Sequence, residues 1–299
     1  MLNVDRILRQ DRLLRATTGL NRKAFEELSV KFEEVYLGSA ETRKEPRKRK
    51  KGGGRKAKLA TIKEKLFYIL LYFKCYPTFD LAAVLFDVDR SQANRWVHRL
   101  QPILEKTLGE KKVLPLRKLS SIDEFIEHFP MVKKVIIDGT ERPICRPKDP
   151  DKQKEYYSGK KKRHTSKNLA ATSKGKKILV LTPSTKGKTH DKKIQDHEDI
   201  IGGVPDEISI LVDSGFQGVQ KQYFNIRLPH KKPRGGELTP QQKQENRELS
   251  QERVVCENAF SGIKRYNAIS DIYRNRVYKF DDKLMLTACG LWNFYLEAA

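Results

Sequence analysis

The sequence has little that would suit a membrane or the secretory pathway. Its longest apolar run, from Leu66 to Phe73, falls well short of the roughly 20 residues that a membrane-spanning helix needs. The amino-terminal stretch MLNVDRILRQDRLLR carries charges where a signal peptide would have its apolar segment. We therefore expect an intracellular protein without a membrane partner, in which the apolar run forms a buried helix.

Closely spaced cysteines are also lacking. The four cysteines lie far apart, and no two have the spacing of a zinc knuckle or a redox motif. They are Cys75, Cys145, Cys256 and Cys289. We expect them to be reduced structural thiols.

Acidic residues are scarce relative to basic ones. Lys and Arg together number 61 against 38 Asp and Glu, which gives a formal net charge of +23 over 299 residues. This excess is far larger than solubility requires. It predicts a polyanionic partner, and the chain is long enough for two domains that each have a hydrophobic core.

Two segments open the chain. Residues 1–42 carry apolar side chains at near-helical spacing, which predicts short amphipathic helices. Residues 43–58 include the basic, glycine-containing run RKEPRKRKKGGGRKAK, which cannot bury enough apolar surface to fold alone. A solvated linker and a nuclear-import signal are alternatives for this arm, but contact between DNA phosphates and Lys48, Arg49 and Lys50 is favoured.

Residues 59–110 have the punctuation of a helix-turn-helix domain. Three helices are predicted: Thr61 to Lys74, Thr78 to Phe86 and Arg90 to Leu108. The third has one apolar stripe, formed by Ala93, Trp96, Val97, Leu100 and Leu104. Its outward side chains are of base-reading and phosphate-binding types: Ser91, Gln92, Asn94, Arg95, His98 and Arg99. An ordinary helical bundle with a polar third helix is the alternative.

A connector of residues 111–131 precedes a predicted α/β domain of residues 132–299. The predicted strands are Val132 to Ile137, His164 to Ala171, Lys177 to Leu181 and Ser209 to Val212, and the predicted helices are Asp191 to Ile201 and about Gln241 to Tyr266. A hairpin-first sheet followed by helices predicts a mixed sheet of the RNase H-like type. The expected fold is thus an RNase H-like α/β domain preceded by an all-α helix-turn-helix domain.

Two aspartates follow buried strands. Asp138 comes after Val135-Ile136-Ile137, and Asp213 comes after Ile210-Leu211-Val212. Carboxylates that converge from separate elements can share divalent cations such as Mg²⁺. The pattern alone is weak, because aspartate commonly ends strands and starts turns.

The surrounding residues make the pattern specific. The relevant stretches are RLLRATTGLNRKAFEEL, the basic arm, VIIDGTERPICRP, YYSGKKKRHTSKN, THD at 189–191, LVDSGFQG and RVVCENAFSGIK. With these the sequence resembles, over nearly its whole length, the Harbinger-like DDE superfamily endonucleases and the related bacterial insertion-sequence transposases. One position departs from the insertion-sequence pattern, because Ser250 stands where a tyrosine is often found.

The resemblance implies a set of functional residues. Asp138, Asp213 and Glu257 would form the metal-binding triad, which would hold two Mg²⁺ or Mn²⁺ ions. Arg253 and Lys264 match the basic positions that flank the glutamate and would position the DNA strand. Independently of the resemblance, the basic tract that contains Lys160, Lys161 and Lys162 predicts a solvated hairpin for most of its individual lysines, but as a group these lysines could bind the phosphate backbone. His190 is expected to be a capping or core-edge residue.

The resemblance also implies an activity and partners. The enzyme would hydrolyse a phosphodiester at a transposon end, and the freed 3′-hydroxyl would attack target DNA. The partners would be double-stranded DNA, comprising terminal inverted repeats and target DNA, and further copies of the chain in a dimer or larger synaptic complex. The protein would then be cytoplasmic and nucleoid-associated, or nuclear in a eukaryotic host.

Three alternatives remain at this stage. The chain could be an inactive or repurposed DNA-binding protein derived from a transposase, or another RNase H-like nuclease that acts on RNA or recombination junctions. The third acid could be Glu252 rather than Glu257. On a helix that advances about 100° per residue, Glu257 lies within roughly 40° of Arg253 and Lys264, whereas Glu252 lies about 140° away. This geometry favours Glu257.

Overall fold

The computed structural model describes residues 2–41 and 57–298. Its helices are α1 (Val4–Arg9), α2 (Asp11–Thr18), α3 (Arg22–Glu41), α4 (Ile62–Cys75), α5 (Phe79–Phe86), α6 (Arg90–Glu110), α7 (Ile122–His128), α8 (Pro150–Tyr156), α9 (Asp191–Glu198), α10 (Pro240–Ile263), α11 (Asn267–Ser270) and α12 (Phe280–Ala298). Its strands are β1 (Lys134–Pro143), β2 (Tyr157–Ser158), β3 (Arg163–Ser173), β4 (Ile178–Leu181), β5 (Thr185–Lys186), β6 (Ser209–Leu211) and β7 (Ile226–Arg227). Within these described ranges no helix is both long and apolar enough to span a membrane.

The chain forms two compact units, and each unites segments that are distant in sequence. The first comprises Met1–Leu114, Arg265–Asp271 and Leu284–Ala299. The second comprises Pro115–Lys264 and Ile272–Lys283. The sequence assigned every residue after 131 to one catalytic domain, whereas two carboxy-terminal segments group with the first unit.

The three helices predicted for residues 59–110 are confirmed, with ends that differ by one or two residues. Helix α4 follows the N-cap Thr61, whose side chain forms a capping box with Glu64. The apolar run from Leu66 to Phe73 is buried in it, as expected. Helix α5 starts after the N-cap Thr78 and ends at Phe86, and its C-cap Asp87 has a left-handed φ of 52°.

Aromatic side chains hold α6 in place within the first unit. The hydroxyl of Tyr68 donates a hydrogen bond to the carbonyl of Ala93 at 2.7 Å. The Tyr68 ring lies edge-on to Phe86 and Trp96, at centroid distances of 4.9 and 5.1 Å. The predicted apolar stripe is buried apart from Trp96, which is partly exposed. These contacts decide which face of α6 is turned outward.

Helix α12 was not predicted. Its part in the first unit is buried on nearly all sides, with Leu284, Ala288, Leu291 and Phe294 almost inaccessible to solvent. A helix that is apolar all round lacks the one-sided stripe from which periodicity identifies a surface helix. The pattern therefore gave no sign of this helix.

The second unit contains the predicted mixed sheet. Its strands follow the order β4, β3, β1, β6, β7, with β1 antiparallel to β3, β3 antiparallel to β4, and β1, β6 and β7 mutually parallel. This is the RNase H-like arrangement that the sequence predicted. The hairpin between β3 and β4 turns at residues 173–176.

Strand β1 continues beyond its predicted end at Ile137. It pairs with β3 as far as Pro143, which lies opposite Thr165. The part of the strand beyond Ile137 carries the polar residues Asp138, Glu141 and Arg142. A strand predicted from its apolar run alone therefore ends too early. The extension matters because it places polar side chains of two strands at one end of the sheet.

Both faces of the sheet are covered. On one face Val135, Ile137, Ile210 and Val212 belong to a core that includes Ile194 of α9. On the other face α10 packs on β1 and β3, and the thiol of Cys256 lies 3.4 Å from the hydroxyl of Thr172. Helix α10 ends at Ile263, three residues before its predicted end, because α11 starts directly afterwards.

Candidate active site and nucleic-acid interface

Asp138 and Asp213 come to one end of the sheet on neighbouring parallel strands. Ile136 of β1 lies opposite Leu211 of β6, and each aspartate stands two residues further along its chain. Adjacent strands are about 4.8 Å apart, so the two carboxylates occupy equivalent, adjoining positions. Backbone amides orient both: Gly139 N donates to Asp138 Oδ1, and Gly215 N donates to Asp213 Oδ1, each at 2.7 Å.

The surroundings of Asp138 disfavour its negative charge. Burial raises the pKa of Asp138, the guanidinium of Arg253 at 3.4 Å opposes this shift, and the carboxylates of Asp213 and Asp191 add to it. Like charges held together in a partly buried place repel one another unless a cation intervenes. The cluster therefore has the electrostatic character of a cation site.

Asp191 belongs to this cluster, although the sequence did not single it out as a site residue. A Cβ on Gly139 would lie 2.9 Å from Asp191 Oδ1, and one on Gly215 would lie 3.3 Å from Asp191 Oδ2 and 2.8 Å from Asp213 Oδ1. Both positions therefore suit glycine because carboxylates approach the backbone closely there. The sequence feature that could have indicated Asp191 was the tract THD at 189–191, which puts an acid in the first turn of α9.

A buried lysine fixes Asp191. Lys167 Nζ donates to Asp191 Oδ1 at 3.1 Å and to the carbonyl of Thr189 at 2.9 Å, and it lies 3.5 Å from Glu141 Oε1. Glu141 in turn accepts a hydrogen bond from the hydroxyl of Thr165 at 2.7 Å. This network joins β1, β3 and the start of α9 behind the aspartates. No sequence motif indicated this network.

Helix α10 brings two basic residues to the acids. Arg253 reaches Asp138, and its Nε is buried without a hydrogen-bond partner among the described residues. Burial lowers the pKa of Lys264, and the positive charge of Lys161 lowers it further, whereas Glu141 and Asp138 oppose the shift. Lys264, at the C-cap of α10, therefore interacts electrostatically with Glu141 and Asp138 and with Lys161 of the basic hairpin.

The two candidate glutamates of α10 differ in environment. Glu257 is exposed, one helical turn beyond Arg253. Glu252 is bound to other side chains: it accepts a hydrogen bond from Lys134 and lies 3.5 Å from Arg227. Lys134 is the main cause of the lowered pKa of Glu252. Glu252 thus has the contacts of a structural charge.

The acidic side chains at this site supply part of the ligand set that a hard divalent cation requires. Asp138 and Asp213 supply converging carboxylate oxygens, the ligand type that Mg²⁺ and Mn²⁺ prefer. In the part of the chain that the structure describes, no group of three or more His, Cys, Asp or Glu side chains is arranged to hold a metal ion. The two aspartates are therefore the residues that could hold one in this arrangement, with Glu257 at the surface of α10.

A cleft of about 950 Å³ opens beside the acids. Asp191 and Asp213 line one part of it, together with His190, which stands at the N-cap position of α9 but makes no side-chain capping bond. The remaining lining is rich in cations: Arg146, Lys154, Lys160 and Lys188. Of the three hairpin lysines, Lys160 lines the cleft, whereas Lys161 and Lys162 do not. Lys162 occupies the turn, with a φ of 53°.

The predicted DNA-reading residues of α6 lie in different surroundings. Arg95 is exposed and donates to Gln92 Oε1 at 3.1 Å, while Asn94 is partly exposed beside it. Arg99 is exposed but is bound within the protein, because its guanidinium donates to the hydroxyl of Tyr36 at 3.0 Å. The predicted phosphate contacts Lys48, Arg49 and Lys50 lie outside the described residues.

The fold defines an RNase H-like α/β protein that also carries a helix-turn-helix segment, and comparison with known proteins agrees. Residues 137–293 match the family described as DDE superfamily endonuclease. Residues 57–110 match the family described as helix-turn-helix of DDE superfamily endonuclease. The chain belongs to the DDE superfamily endonucleases, as the resemblance in its motifs indicated.

One curated relative matches over nearly the full length. The chain is 28% identical over 277 residues to the "Probable transposase for insertion sequence element IS702" of Microchaete diplosiphon. The match covers 93% of this chain and 96% of that protein. No solved structure gives a significant match.

Proposed function

We propose that this protein is a DNA transposase of the insertion-sequence type, which cuts DNA at the ends of an element and joins them to target DNA. The observation that carries the proposal is the pair Asp138 and Asp213, side by side on parallel strands next to a cleft lined with cations. The name of the full-length relative supports the same activity. Nicking of supercoiled plasmid in Mg²⁺, and its absence in EDTA, tests the nuclease step.

Metal binding would fall to the acids. Asp138 and Asp213 would hold Mg²⁺ or Mn²⁺, and Glu257 would complete the site from α10. Two such ions, when bound, supply an activated water and stabilise the charge on the attacking and leaving oxygens. Lys167 would keep Asp191 oriented beside the pair, because its ammonium group is bound on three sides.

The basic residues near the acids would position the DNA strand. Arg253 Nε is buried without a partner in the described residues, and a phosphate oxygen would satisfy it with a charge-assisted hydrogen bond. Lys264 and Lys161 would bring further positive charge to the same strand. Arg253 also offsets the negative charge of Asp138, so the same guanidinium would be within reach of a phosphate held beside that carboxylate.

The helix-turn-helix segment would recognise the terminal inverted repeats of the element. Arg95→Ala is expected to reduce the preference for end DNA over scrambled DNA about 5- to 150-fold, because a bidentate base contact is worth roughly 1–3 kcal/mol. Lys106→Ala, on the same helix and exposed, is the matched control that should keep the preference. Titration of both DNAs at physiological salt measures it.

The basic arm should contribute affinity for DNA without any preference for end DNA. Replacing Lys48, Arg49 and Lys50 together should weaken binding to every DNA alike and flatten the dependence of affinity on salt, because phosphate contacts release counterions regardless of sequence. Loss of discrimination by the arm variant, with uniform weakening by Arg95→Ala, would show that the two roles are reversed.

A further inference from the structure

An aromatic pair lines the cleft beside the acids. Tyr157 of β2 faces His164 of β3 across the hairpin, with ring centroids 5.7 Å apart and planes inclined at 72°. Both residues line the same cleft as Asp191 and Asp213. Tyr157 is 43% exposed, so part of its side chain faces solvent in the cleft.

The lining around this pair combines two kinds of chemistry. Arg146, Lys154 and Lys160 supply positive charge, and Tyr157 and His164 supply flat rings. Grooves that bind single-stranded nucleic acid use the same combination, in which cations follow the backbone and aromatic rings stack on bases. An exposed ring contributes little to the binding of phosphates, whereas it can stack on a base.

The dimensions suit a nucleotide that lies a few positions along the strand from the reacting phosphate. A volume of about 950 Å³ falls at the upper end of the range for sites that enclose small organic ligands. Asp138 lies opposite Ala170 of β3, and His164 precedes Ala170 on that strand by a distance of about 20 Å at 3.3 Å per residue. The ring pair is therefore removed from the acids by a few nucleotides of an extended strand.

We propose that Tyr157, supported by His164, stacks on an unpaired base of the DNA strand whose phosphate reaches Asp138. The base must be unpaired, because a base within a duplex is covered on both faces by its neighbours and is exposed only when extruded or in a single strand. This subsite rests on the proposed function, and it makes an opened or frayed DNA end the preferred substrate.

Affinity for paired probes tests the subsite in full-length protein without divalent metal. Each probe is a duplex with a single-stranded tail, either of thymidines or of abasic sites in equal number, so that charge is matched and only the bases differ. Wild-type protein should bind the thymidine tail about 10-fold more tightly, in line with base–aromatic stacking. Tyr157→Ala should remove this difference, and Tyr157→Phe, which keeps the ring, should retain it. Lys160→Ala should weaken both probes alike.

Two results would overturn the subsite: equal binding of both tails by wild-type protein, or a difference between the tails that survives Tyr157→Ala, including the case in which Tyr157→Ala weakens both tails equally. The assay needs no cleavage, so it separates the two proposals. Base discrimination without any nicking in Mg²⁺ would overturn the proposed function alone. Nicking without base discrimination would overturn the subsite alone.

Discussion

Asp138→Asn is expected to lower the rate of plasmid nicking in Mg²⁺ by about a thousandfold or more, with DNA affinity unchanged. The substitution removes one negative charge but keeps the shape of the side chain, and its oxygen can still accept the bond from Gly139 N. Loss of a metal ligand that stabilises the transition state by several kcal/mol corresponds to a rate loss of this size. Nicking kinetics and DNA titration of the same preparation measure both quantities.

Asp213→Asn should have the same effect, because Asp213 holds the equivalent position on the neighbouring strand. Asp206→Asn is the matched control: this aspartate is exposed in the loop before β6, and its replacement should leave nicking intact. Full nicking by either site variant, or loss of DNA binding together with nicking, would contradict the assignment of these two acids.

Glu257→Gln is expected to abolish nicking in Mg²⁺, whereas Glu252→Gln should retain most of it. Glu257 is exposed on the helix that carries Arg253 to Asp138, and four residues separate Glu257 from Arg253, which puts them about 40° apart on the helix. Glu252 lies about 140° from Glu257 by the same geometry and is bound to Lys134 and Arg227.

The comparison of the two variants has a stability readout as well. Glu252 is about one-third exposed, and its ion pairs are worth at most about 1 kcal/mol at such exposure. Glu252→Gln should therefore lower the melting temperature slightly while nicking continues, and Glu257→Gln should leave the melting temperature unchanged. Nicking that is lost in Glu252→Gln and kept in Glu257→Gln would show that the catalytic glutamate is Glu252.

Local sequence patterns predicted much of the fold because the relevant information is local. The helices α4, α5 and α6 follow from an apolar periodicity with clear caps at Thr61 and Thr78. The strands before Asp138 and Asp213 follow from short apolar runs. The resemblance to a known family then indicated that these two aspartates belong together, which the parallel pairing of β1 and β6 explains.

The remaining features depend on contacts between distant residues. The Lys167 network needs the register that sets Lys167 opposite Glu141, and a sequence does not display the pairing of two strands. Asp191 joins the acids only because α9 begins beside Gly139 and Gly215. The position of Tyr157 opposite His164 likewise requires the hairpin between β2 and β3 to be known.

The proposed transposase activity is tested most directly by measuring whether the purified full-length protein joins element ends to target DNA. The substrate is a labelled duplex that carries the inverted repeats flanking the gene, mixed with unlabelled supercoiled plasmid. In Mg²⁺ or Mn²⁺ we expect labelled ends covalently joined to plasmid through their 3′-hydroxyls, and no product with Asp138→Asn or in EDTA. Joined product in EDTA, or binding of the ends with neither cleavage nor joining in Mg²⁺ or Mn²⁺, would contradict the proposed metal-dependent transposase activity.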